Sequence, residues 1–224
     1  MTNEEFSNEF DVLVDSYRRF KSYDKKEELD SIEFNEYEKS VFLTKAQDEI
    51  LIEAYSGRYE GYEQTEEIRK YLSNLNKELE LNPSESSTYL KSFDRLGFYL
   101  PNDVWFVTFE AIETKTDTKL VLPVNRDSLY KTLQNPFKLS KHICLRVDDA
   151  NNKIYIIGKN LTDATYIVNY IEAPTPIVLV RLHNNVSING INEPTECKVH
   201  VGLHNKILER AVALAMASKT NIQK

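Results

Sequence analysis

This 224-residue sequence has little that would cross-link, anchor or loosen it, with two cysteines, six glycines and one tryptophan. Cys144 and Cys197 are too few and too far apart for a disulfide framework, which points to a reducing compartment. No apolar run approaches the ~18 residues that span a bilayer, and the opening MTNEEFSNEFD is acidic where a secretory signal is basic. These absences predict a soluble chain made in a cytoplasm, with no membrane partner. Long basic clusters are missing as well. Phosphate recognition needs grouped Lys and Arg, so sequence-specific nucleic-acid binding is not expected. The sequence also lacks P-loop, dinucleotide-binding, nucleophile-elbow, zincin and CxxC motifs, which moves the expectation from an enzyme toward a binding or structural role.

What is present is enough apolar material for a substantial core. Hydrophobic residues make up 41%, with 13 Tyr and 10 Phe, more than a disordered chain of this charge density carries. Charge is unevenly spread. Residues 1–80 hold 21 Asp or Glu against 11 Lys or Arg, whereas the remainder holds 14 against 17, giving −10 and +3 within the overall −7. Solvated helix faces account for such an acidic front half.

Phe6, Phe10, Leu13, Tyr17 and Phe20 recur at spacings of 4, 3, 4 and 3, placing five large apolar groups on one stripe of a helix over residues 3–21. A second helix is expected over 35–55, with Tyr37, Val41, Ala46, Ile50 and Ala54 on overlapping faces before Gly57 and Gly61. A third runs over 64–74, burying Ile68, Tyr71, Leu72 and Leu75, and NPSESS around Pro83 ends it. Beyond Phe98 the period becomes alternating. VWFVTFEAI, TKLVLPV, HICLRVD, KIYIIGK, TYIVNYIEA and PIVLVRL read as strands, and Asn189-Gly190 as a two-residue type I′ turn. NRDSLYKTLQNPF interrupts them as a short helix capped by Asp127 and stopped near Pro136. From Gly202 the helical period returns through Leu203, Ile207, Leu208, Ala211, Val212, Leu214 and Ala215. The order helices, sheet, helix defines an α+β fold: N-terminal helices bundled with the C-terminal helix, and an inserted antiparallel β-sandwich-like lobe. Its expected bounds are 1–82 packing with 202–220, and 98–200 for the lobe.

Chemistry-bearing groupings are weak. Cys197, His200 and His204, with His183 as a fourth, have residue types that suit zinc, but Gly202 interrupts the two histidines, so a buried thiol and ordinary hydrogen-bonded imidazoles are the better reading. Cys144 and His142 are one residue removed from adjacency in a strand and give no persuasive nucleophile pair. Carboxylates sit on exposed helix positions, with no pair whose context suggests a shared pocket. No catalytic, cofactor or metal residue is assigned.

A string of segments in order then carries a resemblance: EYEKSVFLTKAQDEIL, LPNDVWFVTFEAI, LYKTLQNPFK, YIVNYIEAPTPIVL and INGINEPTECKVHVGLHNKILERAVALA. Together they span most of 37–218. The chain resembles the neck and tail ring proteins of crAss-like bacteriophages, virion components stacked between portal and tail. Lys198-Val199-His200-Val201-Gly202 departs from that pattern at the start of the last helix. The resemblance implies an architectural protein without cofactor: a head-to-tail adaptor forming a homo-oligomeric ring of about twelve copies around the DNA channel, contacting the portal and other ring proteins. It also implies that helices from the two chain ends pack together, Leu203, Ile207, Ala211 and Leu214 meeting Phe6, Phe10, Leu13 and Tyr17, with surplus apolar surface facing a neighbouring subunit. A different tail-hub or capsid-associated component, or a small hydrolase using Cys197 or a carboxylate pair, are the alternatives.

Overall fold

The structure is a computed structural model, which describes residues 1–25, 33–56, 66–90, 92–135, 142–183 and 186–222. Gly57, Gly61 and Pro136, and the side chains of Phe20 and Ile68, lie outside what is described. The chain divides into two compact units, Met1–Leu75 with Pro174–Lys224, and Asn76–Ala173.

Helices build the first unit. Helix α1 spans Asn3–Lys25, α2 Glu36–Ser56, and α3 Glu66–Leu72, which tightens into a 3-10 turn at Ser73–Leu75. Two reciprocal caps set where the first two begin. The Glu5 amide donates to Thr2 Oγ1 while the Thr2 amide donates to Glu5 Oε2, and the Asn35 and Glu38 pair repeats the arrangement at 2.8 and 3.0 Å. Each box satisfies two amides that a helix start otherwise leaves unbonded. A 3-10 turn at Val201–Leu203 leads into α5, His204–Ile222. This is the point where the sequence departs from the expected pattern, and the chain solves it with His200, whose Nδ1 accepts from the Gly202 amide at 3.1 Å. A Cβ on Gly202 would lie 2.7 Å from the Tyr71 ring, so the missing side chain is what lets that ring approach.

The second unit is one eight-stranded sheet among the described residues, ordered β1-β8-β4-β5-β6-β7-β3-β2. The strands are β1 Asn76–Leu81, β2 Glu85–Tyr89, β3 Phe93–Tyr99, β4 Val104–Glu113, β5 Thr118–Pro123, β6 Ile143–Asp148, β7 Lys153–Gly158 and β8 Thr165–Glu172. All neighbours are antiparallel except β5 and β6, whose parallel pairing needs a long crossover and gets it from α4, Arg126–Leu133. Phe98 on β3 and Tyr166 on β8 stand five strand steps apart, ~24 Å in a flat sheet. Their ring centroids are 5.2 Å apart, so the sheet curls until its flanks face each other. Only residues 82–84 join β1 to β2, the strands at opposite ends of the order, which brings those ends together. Within the curl lie Phe98, Ile112, Val121, Cys144, Ile156, Tyr166 and Val168. On its outside, Leu129 and Leu133 of α4 pack against Leu145, Val147 and Ile157.

The α+β class with an antiparallel-dominated sheet holds. Three local expectations change. NKELEL, ESSTY and FDRLGFY are strands where only a break at NPSESS was expected before Phe98; in β1 Leu79 and Leu81 alternate with Glu78 and Glu80 and pack on the inner cluster, a signal of two residues, while the Ser and Thr of β2 face solvent. The β unit therefore begins at Asn76, well ahead of residue 98. PIVLVRL is extended but belongs to the helical unit, joined to another segment by a single bridge, Val178 to Thr195. The short helix is preceded by Asn125 at its cap position, and Asp127 sits in the first turn, where its charge complements the helix dipole. Asn189 and Gly190 take φ of 50° and 84° between the bridged Ile188 and Ile191, the positive-φ pair a type I′ turn requires.

Candidate assembly surfaces

In the helical unit, α2 is surrounded. Leu43, Ala46, Ile50, Leu51 and Ala54 are buried, and so are Lys39, Ser40, Thr44 and Gln47. Those polar side chains serve the extended segment 175–179, whose backbone among the described residues is bridged to another segment only at Val178 and Thr195. Gln47 Nε2 donates to Thr175 O at 2.9 Å. Thr44 Oγ1 accepts from the Ile177 amide at 3.0 Å, and Ser40 Oγ accepts from the Leu179 amide at 3.0 Å. Residues 40, 44 and 47 share one helix face, so a row of side chains takes the place of a partner strand. Replacing Thr44 with Val should leave the Ile177 N–H without an acceptor and cost about 1–3 kcal/mol. Thermal unfolding followed by circular dichroism should show a loss of several degrees, largely spared in Thr44→Ser.

Helix α5 packs on α2 and α1. Arg210 reaches Glu49 and Glu53 while Lys219 reaches Glu38, which makes α2 and α5 antiparallel. Lys39 Nζ, 3% exposed, holds Asp11 Oδ2 at 2.6 Å and Glu36 Oε1 at 2.9 Å, tying α1 to α2. Of the residues expected to pack between the chain ends, Phe6, Phe10, Leu203, Ile207 and Ala211 are completely buried, and Leu13 and Leu214 are half-buried. Tyr17 is 44% exposed, and Val14 is buried in its stead. Phe6, Phe10 and Val14 form an i, i+4 ridge, the row that packs in ordinary helix pairs, and Leu13 and Tyr17 lie off that ridge. Val12 is exposed as well, ~140° round α1 from Tyr17.

His200, His204 and Cys197 are engaged in local bonds. His204 Nε2 lies 3.0 Å from Val199 O, which makes that nitrogen the donor, so Nδ1 accepts from the Met1 amine at 2.8 Å. Burial lowers the His204 pKa, in keeping with this neutral tautomer. Cys197 Sγ contacts Gln47 Oε1 at 3.5 Å, and His183 is exposed. Among the described residues no three His, Cys, Asp or Glu are grouped to hold a metal. Cys144 is buried within the curl, with its thiol pushed up to about 11 by desolvation, while His142 is exposed against Asp117 at 3.1 Å.

One buried ionic grouping was not foreseen. Glu110 of β4 accepts from Arg146 Nη1 of β6 at 2.6 Å and from the Tyr166 hydroxyl of β8 at 2.7 Å. Glu110 is 5% exposed, and burial raises its pKa although Arg146 and Tyr166 draw it down. The sequence carried a faint sign of it, an acid at an inward position of VWFVTFEAI. Carboxylates are thus not confined to helix surfaces.

The outside of the β unit is unevenly covered. Helix α4 shields β6 and β7, but Phe109, Leu120 and Leu122 on β4 and β5 are 48%, 43% and 38% exposed. Ala111 pairs in register with Leu120 on one side and Ile167 on the other, so these residues form one apolar strip. TKLVLPV is apolar at consecutive positions, not alternate ones, a pattern strands show when both faces are covered.

The sequence comparisons supply the class, a structural ring protein of a phage tail. Residues 1–224 match the crAss ring 3/4 family, described as phage tail ring protein 3/4, and the chain belongs to that family. It is similar to Ring protein 3 of Bacteroides phage crAss001, 40% identical over 236 aligned residues that cover 99% of this chain and 98% of that protein. It is also similar to Ring protein 4/5 of the same phage, 34% identical over 234 residues covering 97% and 93%.

Proposed function

We propose that the protein forms a closed homo-oligomeric ring of about twelve copies in the phage neck or tail, acting as a head-to-tail adaptor between portal and tail around the DNA channel. The observation that carries this reading is the end-to-end similarity to relatives named ring proteins. A closed ring needs heterologous contacts, one surface of each subunit meeting a different surface of the next. Exposed apolar groups in both units, Val12 and Tyr17 on α1 and Phe109, Leu120 and Leu122 on the sheet, are suited to such contacts. The exposed acids of α1, Glu4, Glu5, Glu9, Asp11 and Asp15, are assigned to the channel side, where like charge would keep DNA from adhering as it passes. Imaging of the assembled particle at side-chain resolution tests all of this. A twelve-membered ring below the portal with those acids facing inward is expected. Density for the chain on the capsid, or the acids on the outer wall, would overturn the adaptor role or the channel assignment respectively.

A further inference from the structure

We infer that the apolar strip on the outer face of β8, β4 and β5, centred on Phe109, Leu120 and Leu122, is one half of the contact between successive copies of this chain. The inference rests on the ring reading above and adds a location to it. Ala111 marks the centre: it is 3% exposed although it lies on the outer side, because Leu120 and Ile167 flank it in register. The strip is bounded. Toward β6 and β7 the outer face is already occupied by Leu129 and Leu133 of α4, and toward the β4–β5 turn it ends at the exposed Glu113.

Its chemistry selects the occupant. The outward positions 109, 111, 120, 122, 167 and 169 are Phe, Ala, Leu, Leu, Ile and Asn, with no cation to hold a phosphate and no anion to hold a basic partner. What such a surface recognises is another apolar protein surface. Three strands at ~4.8 Å by four residues at ~3.4 Å give roughly 200 Å² of flat sheet, against ~800 Å² per partner in a stable interface. That proportion suits the dry centre of a larger contact with a polar rim, here begun by Thr108 and Asn169. In a ring every subunit has a copy of itself on each side, so a second copy is the partner always in reach. The strip is expected to meet a different surface of that copy, since a strip-to-strip pairing would close a dimer and halt the ring.

The test uses the full chain, comparing wild type with the double variant Leu120→Lys, Leu122→Lys and with the gentler Leu120→Thr, Leu122→Thr. Threonine keeps strand preference while removing most of the apolar surface, so it covers the case in which the lysine variant fails to fold. Assembly is read by mass photometry and sedimentation over a concentration series, and folding by the thermal midpoint. Wild type is expected to assemble, the lysine variant to remain a monomer with a midpoint within a few degrees, and the threonine variant to need at least tenfold more protein for half assembly. Tyr130→Lys, on the exposed side of α4, should assemble as wild type does. If both strip variants assemble normally, the strip is not the contact and this inference is overturned while the ring reading stands. If wild type itself stays monomeric at hundreds of micromolar, the strip does not drive contact between copies and this inference is overturned, while the ring reading is decided by imaging of the particle.

Discussion

Replacing Ile207 with aspartate is expected to abolish cooperative folding. Ile207 is fully buried in α5, on the helix that packs against both α2 and α1. Removing its side chain forfeits ~2–3 kcal/mol of apolar burial. Placing a carboxylate in that interior adds several kcal/mol more, because desolvation is not repaid without a paired cation. The combined loss of at least ~5 kcal/mol is comparable with the whole stability of a typical domain, ~5–15 kcal/mol. The variant should show no sigmoidal thermal transition and little soluble yield. Asn205→Asp, two residues away and exposed, adds the same charge without the burial and should melt as wild type does. A soluble Ile207→Asp protein with a normal midpoint that still enters normal particles would refute the packing of the chain ends described above.

The second large effect is expected inside the sheet. Arg146→Met leaves Glu110 buried without its cation and should cost ~3–5 kcal/mol. Combining it with Glu110→Leu removes the orphaned charge, so the double variant should recover much of that loss; the Tyr166 hydroxyl, then unpartnered, limits the recovery. The single variant also carries a pH signature. Burial already raises Glu110 above its ordinary 4.5, and Arg146 is the strongest influence holding it down. Without Arg146 the folded-state value rises further. A carboxyl whose folded pKa exceeds its unfolded one contributes stability that is fully present below the unfolded value and lost as pH rises through the folded value. The stability gap between Arg146→Met and wild type should therefore widen from about pH 4 toward neutrality, and the double variant should lack that slope. Urea titrations at a series of pH values measure both.

The elements that were plain in the sequence are those whose burial is periodic. Residues 3–21 and 202–220 announce amphipathic helices because one face is buried and the other is wet, and β4 to β8 announce themselves because β-branched and aromatic residues pack on a pleated surface. Strands β1 and β2 could not be read this way. In β1 Leu79 and Leu81 alternate with Glu78 and Glu80 and touch the core, but two leucines beside NPSESS are a short signal, and β2 is mostly exposed and contributes backbone pairing more than apolar surface. Segment 175–179 misled in the opposite direction: Ile177, Val178 and Leu179 are as buried as a central strand, but α2 bonds the Ile177 and Leu179 amides and Thr195 bonds Val178. The sign lay elsewhere, in Ser40, Thr44 and Gln47 at helical spacing among apolar neighbours. The packing residues split for a geometric reason. Phe6, Phe10, Leu203, Ile207 and Ala211 are buried as the periodicity places them, whereas Tyr17, only ~20° round the helix from Phe6, is exposed because the buried row follows the i, i+4 ridge to Val14, which periodicity alone does not select. The outer strip of the sheet was legible only as a failure of alternation in TKLVLPV, which says that a face is covered and not by what.

The helical unit is assembled from the two ends of the chain, and this orders events during synthesis. About 150 residues separate the end of α2 from the start of α5, a delay of roughly 7–30 s at ~5–20 residues per second on the ribosome. Throughout that interval α2 lacks its antiparallel neighbour, so a nascent or prematurely terminated chain cannot present the finished bundle. Only polypeptides translated through α5 can complete the bundle, so in the proposed ring a truncated copy would lack the finished fold its neighbours need.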